Sequence, residues 1–168
     1  MPVGDPAPAW YAAYTCANHE KKVAGQLAER DVEHYLPTFE AVRRWSDRSM
    51  RIQQPLFPGY VFVRLSLRER LRVLQVPSVV RLVGFNGSPA PLPDREIETL
   101  RRSLIAELGT SPHPYLKEGT KVRIVRGPLE GAEGILIRKK NIFRVVISID
   151  LILRAASVEV DIADVQRI

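Results

Sequence analysis

The sequence predicts an α+β fold: an antiparallel sheet with flanking helices over residues 10–108, followed by a small β-barrel over residues 117–168. Three observations carry this. Over residues 10–108 the apolar pattern runs strand, helix, strand, strand, helix, strand, helix, the order of a two-layer sandwich with ferredoxin-like logic. A Gly/Pro stretch at residues 109–115 then halts the last helix. Beyond it apolar residues recur only at period two, in short runs parted by turns. A chain of 168 residues has room for two small domains.

Residues 1–9, with Pro2, Pro6 and Pro8, read as a flexible tail. Residues 10–15 form a short strand. Asn18 is expected to cap a helix to about Asp31, with Val23, Ala24, Leu27 and Ala28 on one face. Residues 32–45 are extended and amphipathic, residues 46–51 form a polar hairpin tip, and the return strand ends near Leu65. Ser66 and Glu69 have capping-box spacing, ahead of a helix expected to bury Leu67, Leu71 and Leu74 and to stop before Pro77. Residues 79–84 form a strand and residues 85–91 a loop. Asp94 is expected to cap a third helix whose apolar face is Ile97, Leu100, Leu104 and Leu108. Residues 109–116 are the expected linker. In the barrel, Val122 and Ile124 alternate with Lys121 and Arg123, and Phe143, Val145, Ile147 and Ile149 with Arg144, Val146 and Ser148. Val158, Val160 and Ile162 repeat the pattern. This Val/Ile density favours strands, so a constitutive barrel is expected.

Hydrophobic content of 45% and charged content of 26% are those of a globular protein. No apolar run approaches the roughly 20 residues of a membrane span, and no signal-peptide pattern opens the chain, so a cytoplasmic location without membrane contact is expected. Cys16 is the only cysteine, and His19, His34 and His113 lack ligand spacing. No metal and no cofactor are expected. Cys16 and His19 lack a third orienting group, and no carboxylate pair or phosphate loop appears, so no catalytic residues and no enzymatic activity are expected.

The net charge of +6 favours an anionic partner. Arg43, Arg44, Arg48, Arg51, Arg64, Arg68, Arg70 and Arg72 stand against only Asp47 and Glu69 over that stretch. This reads either as a solvated face or as a nucleic-acid surface. His19, Lys21 and Lys22 fall in the first turn of helix one, where the helix dipole disfavours positive charge. A phosphate at the amide groups there would make sense of them, and Arg43, Arg44 and Arg48 would extend such a patch. Solubilising charge is the alternative; phosphate contact would weaken steeply with salt.

The block Pro55-Leu56-Phe57-Pro58-Gly59-Tyr60-Val61-Phe62-Val63 places two prolines, a glycine and three aromatics where a turn opens into a strand. It reads as a rigid corner displaying aromatics, which suits docking better than catalysis. Alternation puts Tyr60 and Phe62 on one sheet face. Phe62 equally suits the core, and Trp10 reads as a core or edge aromatic. In the barrel, Leu151, Ile152 and Leu153 before Arg154 make an apolar apex, either a partner site or a buried contact.

The spaced glycines Gly119, Gly127, Gly131 and Gly134, with Pro128 and the basic strand Val122-Arg123-Ile124, resemble the KOW motif. With Trp10-Tyr11 and the Pro55-to-Val63 block, residues 10–168 resemble the NusG/RfaH superfamily, an amino-terminal NGN domain followed by an SH3-like KOW barrel. The Pro-Leu-Phe-Pro block, the Ser88-Pro89 loop and residues 145–151 are similar in style to the specialised paralogues RfaH, UpxY and LoaP. The resemblance implies a monomeric transcription elongation or antitermination factor that binds RNA polymerase and suppresses pausing or termination, for specific operons. A general NusG coupling polymerase to Rho or the ribosome is one alternative. A KOW-containing RNA-binding or ribosome-associated protein is another. The resemblance further implies that Tyr14, Phe57, Pro58, Tyr60 and Phe62 line a depression that docks on the clamp helices of the largest polymerase subunit. It places the region of His19, Lys21, Lys22 and the hairpin toward upstream DNA and the non-template strand. Leu151, Ile152, Leu153 and Arg154 fall where relatives bind a small-subunit ribosomal protein or Rho. Two departures stand out. Glu69-Arg70-Leu71 replaces the His-Thr-Thr segment that contacts the polymerase gate loop in RfaH, with Leu71 expected in the core. Ile152 stands at an aromatic position and Leu153 at a glycine.

Overall fold

The computed structural model describes residues 6–168. Of the expected tail, residues 1–5 lie outside the described residues, and residues 6–8 are exposed and irregular. In chain order the elements are β1 (Ala9–Thr15), α1 (Glu20–Glu29), β2 (Glu33–Tyr35), β3 (Thr38–Trp45), β4 (Arg48–Pro55), β5 (Tyr60–Leu65), α2 (Leu71–Leu74), β6 (Val79–Leu82), β7 (Gly84–Phe85) and β8 (Ser88–Pro89). Then come α3 (Asp94–Ile105), β9 (Ser111–His113), β10 (Thr120–Ile124), β11 (Glu133–Lys139), β12 (Ile142–Ile149), β13 (Arg154–Val160) and β14 (Val165–Arg167). The fold class is α+β with antiparallel sheets, as expected. Contacts gather the chain into two compact units. One holds the residues up to Leu36 with Pro58–Asp94; the other holds Pro37–Phe57 with Arg95–Ile168.

In the first unit the sheet order is β2-β5-β1-β6. Alternation sends Tyr11, Ala13, Val61, Val63, Leu65 and Leu82 to one face, where they pack with Val23 and Leu27 of α1 and with Val73 and Val76. The apolar spacing of α1 buries Val23 and Leu27 as the sequence implied, whereas Ala24 is half-buried and Ala28 is exposed. The helix start differs. His19 is the cap residue, and Asn18 takes a left-handed φ of 64° and donates its N–H to Glu20 Oε1 at 3.0 Å. Ser66 does cap the next segment, accepting from the Arg68 N–H, but the segment is one 3-10 turn and the single helical turn α2. So short a helix buries only Val73. Leu67 and Leu74 are partly buried, and Leu71, expected in the core, is exposed.

In the second unit β3 and β4 form a hairpin closed by a two-residue turn, Ser46 and Asp47, tighter than the six-residue tip expected. The barrel sheet runs β14-β10-β11-β12-β13-β9. Val122, Ile124, Val145, Ile147 and Val158 fill its interior together with Leu129. Gly134 is required by close approach, because a Cβ there would meet the Val146 carbonyl oxygen at 2.3 Å. The stretch expected as a linker is partly sheet: β9 pairs with β13, with Ser111 opposite Ser157. Arg144 holds it there. Its guanidinium donates to the Gly109 carbonyl (2.6 Å), Ser111 Oγ (3.2 Å) and Ser157 Oγ (2.8 Å), and it pairs with Glu159 at 3.3 Å.

Candidate functional site

On the sheet face of the first unit opposite α1, β1 contributes Trp10, Ala12 and Tyr14, and β5 contributes Arg64, Phe62 and Tyr60, in direct register. Ala12 stands opposite Phe62, so a small residue makes room for a large ring. Phe62 is fully buried and Phe57 is 2% exposed. Both are corrected from contact residues to core, and Trp10, also buried, is a core aromatic.

The row opens at its far end. Tyr14 is 37% exposed, Tyr60 is half-buried beside it, and their ring centroids lie 5.5 Å apart with planes tilted by 51°. On the other side of Tyr14, β6 places Arg81 in register, its guanidinium carbon 5.7 Å from the ring centroid. Three strands thus align Tyr60, Tyr14 and Arg81. Arg81 was missed in the sequence; only the β1–β6 register identifies it. Gly59 fixes the corner. Its φ is +89°, its carbonyl accepts the Thr15 N–H at 2.8 Å, and a Cβ there would sit 3.4 Å from Tyr14 Cε2. Pro58 beside it is exposed. The accessible members of the expected docking set are therefore Tyr14, Pro58 and Tyr60.

Among the basic candidates, Lys21 and Lys22 are exposed, and His19 Nδ1 lies 2.7 Å from Ser78 Oγ. The start of α1 already carries the buried carboxylate of Glu20, so the helix supplies its own anion. On the hairpin, strand alternation divides the arginines. Arg43 and Arg48 share a face with Trp45 and Met50, whereas Arg44 shares the other with Val42 and Arg51.

The barrel apex is a 3-10 turn from Asp150 to Ile152. Ile152 is buried and so belongs to the core, Leu151 is half-buried, and Leu153 is 60% exposed with left-handed φ 52° and ψ 44°. Arg154 is exposed and donates to the Leu153 carbonyl at 3.2 Å. Tyr115 Oη braces the turn by donating to Asp150 Oδ1 at 2.8 Å. Nearby, the Glu96 carboxyl of α3 is pushed up to about 7, by burial first and by Asp150 second, with Arg95 opposing. Its Oε2 is buried without a hydrogen-bond partner. No group of three metal-ligating side chains occurs among the described residues, and no described helix is long and apolar enough to cross a membrane.

The family model for NusG, described as transcription termination factor NusG, matches residues 8–101. The transcription termination/antitermination protein NusG of Pseudomonas aeruginosa is 28% identical over 95% of this chain and 98% of its own length. The NusG of Yersinia pestis is 29% identical over 96% and 97%, and that of Escherichia coli K12 is 28% identical over 96% and 97%. Among solved structures, one described as domain interaction in Thermotoga maritima NusG matches with TM-score 0.61 at 24% identity, covering 96% of this chain and 97% of that one. That likeness agrees in fold. NusG family proteins are transcription factors that act with RNA polymerase, not enzymes. The chain belongs to the NusG family.

Proposed function

We propose that this chain is a monomeric, cytoplasmic elongation factor that docks on the clamp helices of RNA polymerase through Tyr14, Pro58, Tyr60 and Arg81 and suppresses pausing or termination. The observation that carries this reading is the open end of the β5-β1-β6 face, where two tyrosines and an arginine stand in one row. Aromatic anchors of this kind dominate interface energies, at roughly 2 kcal/mol or more each. The reading takes residues 10–108 and 117–168 as the two functional domains, the first for docking and the second for recruiting a further partner. Arg43 and Arg48, with Lys21 and Lys22, add weak contact to exposed DNA. Binding of core polymerase tests the docking: no retention of the native chain would overturn it.

Within that reading we place the chain among specialised antiterminators of limited operons. Support comes from the apex, where Leu153 occupies a left-handed position that favours glycine. A second reading, general NusG, is supported by the match over nearly the full length of general NusG proteins. Single-round transcription with and without Rho separates them. Enhanced Rho termination would exclude the specialised reading, and unchanged or reduced termination supports it.

A further inference from the structure

The outer face of the barrel holds a pocket that none of the contacts described above uses. Strand alternation puts Ile137, Lys139, Ile142, Arg144, Ser157 and Ser111 on that face, where they line a cavity of about 190 Å³. Ile142 opens β12, whereas the apex follows Ile149 at the strand's other end, and no apex residue lines the cavity. The pocket is cationic on balance, since no carboxylate lines it. Arg144 is offset by Glu159, its ion-pair partner at 3.3 Å. Lys139 and Lys140 are exposed beside a turn in which Lys140 and Asn141 take left-handed φ, and neither has an ion pair among the described residues. Two positive charges are therefore left uncompensated.

The wall also carries hydrogen-bond donors with nothing to donate to. Arg144 gives its Nε–H to Ser157 Oγ at 2.8 Å and an Nη2–H to Ser111 Oγ at 3.2 Å, so both oxygens act as acceptors. Neither hydroxyl proton has an acceptor among the described residues, although Ser157 is only 2% exposed. A hydroxyl that accepts from a guanidinium is polarised into a stronger donor. His113, which also lines the pocket, has Nδ1 2.7 Å from the Pro114 carbonyl. That oxygen only accepts, so Nδ1 carries the ring proton and Nε2 is left to accept when neutral or donate when protonated.

From this we infer that the pocket binds the phosphate group of a small phosphate monoester. Such a group carries a charge of roughly −1.5 to −2 at pH 7 and three strong acceptor oxygens. Two uncompensated ammonium groups and two unused hydroxyl protons match both the charge and the acceptors. The carbon part of the ligand has Pro112, Ile137 and Ile142 to lie against. At about 190 Å³ the cavity is smaller than the roughly 300–1,000 Å³ that drug-sized ligands fill. It therefore holds a head group with a short apolar or single-ring remainder. A nucleic-acid linkage carries a single charge and would leave one lysine unmatched. A carboxylate would do the same.

Amide and histidine-ring NMR of the full chain tests this, with phenyl phosphate, methyl phenyl phosphate, benzoate and rU12 as probes. Phenyl phosphate is expected to give saturable shifts at Ser111, His113, Lys139 and Ser157 while the apex resonances stay in place. Its affinity is expected to exceed that of the singly charged methyl phenyl phosphate and benzoate at least about tenfold, the size of one charge-assisted hydrogen bond. Lys139→Ala with Lys140→Ala, both at exposed positions, should weaken phenyl phosphate at least about tenfold with a native spectrum elsewhere, and Ser111→Ala about threefold. Native-like binding by the double lysine variant would overturn the pocket. So would shifts that spread over the basic surface without saturating, equal affinity for the monoester and the singly charged probes, or tighter binding of rU12 at these same resonances.

Discussion

Tyr60 lies directly opposite Tyr14 in the β1–β5 register, with ring centroids 5.5 Å apart and planes tilted by 51°. Tilted rings at this distance attract through their edges and faces, so each holds the other in place. Arg81 extends the row from the next strand, facing the Tyr14 ring at 5.7 Å. The pair thus offers a pre-ordered aromatic surface with a cation at its side.

Gly59 sets the approach of the chain to Tyr14. Gly59→Ala forces a side chain into φ +89° and against Tyr14 Cε2. We expect a loss of more than about 1 kcal/mol in stability by chemical denaturation, with a shift of the Tyr14 ring resonances. An unchanged midpoint and unchanged resonances would show that the corner tolerates a side chain.

Phe62→Ala separates core from contact. Phe62 is fully buried opposite Ala12, so its removal leaves a cavity. The expected cost is about 3–5 kcal/mol, read as a lower denaturation midpoint. By contrast, Tyr14→Ala is expected to change stability by less than about 1 kcal/mol, since its ring is partly in solvent.

Glu96 predicts a pH dependence. In the fold its carboxyl titrates at about 7, above the ordinary 4.5, because burial and Asp150 disfavour the charge. Between these values the folded chain keeps a proton that the unfolded chain releases. Its contribution to stability is therefore full below about 4.5 and is lost as pH rises through 7. The residue is half-open to solvent, and screening trims the effect to about 1 kcal/mol. Glu96→Gln should flatten stability between pH 5 and 7.5 and raise it at pH 8, measured by denaturation at each pH.

Leu153→Gly tests the barrel apex. Leu153 sits at φ 52°, where a side chain costs about 1–2 kcal/mol, against the roughly 0.5–1 kcal/mol of extra chain entropy a glycine loses on folding. A net gain of about 0.5 kcal/mol is expected by thermal unfolding. Ile152→Ala, at a buried position, should instead lose about 2–4 kcal/mol.

Much of this was legible in the sequence because its signals are local. Helical spacing of Val23 and Leu27 and alternation around Val122, Ile124, Val145 and Ile147 each named a face that the fold buries. What was not legible depends on register and on distant partners. Residues 109–116 look like a linker until Arg144, some thirty residues on, ties the Gly109 carbonyl and Ser111 to β13. Leu71 looks like core until α2 proves to be a single turn. Arg43, Arg44 and Arg48 look like one patch, yet the two-residue turn at Ser46 and Asp47 sets a register that splits them and brings Trp45 beside two of them. Phe57 and Tyr60 share one motif, but only Tyr60 reaches solvent.

Docking through Tyr14 and Tyr60 is read from the affinity of core RNA polymerase for the native chain against Tyr14→Ala with Tyr60→Ala. Tight binding by the native chain is expected, with a loss of at least about thirtyfold in the double variant and an unfolding midpoint near native. Native-like binding by a folded double variant would contradict it.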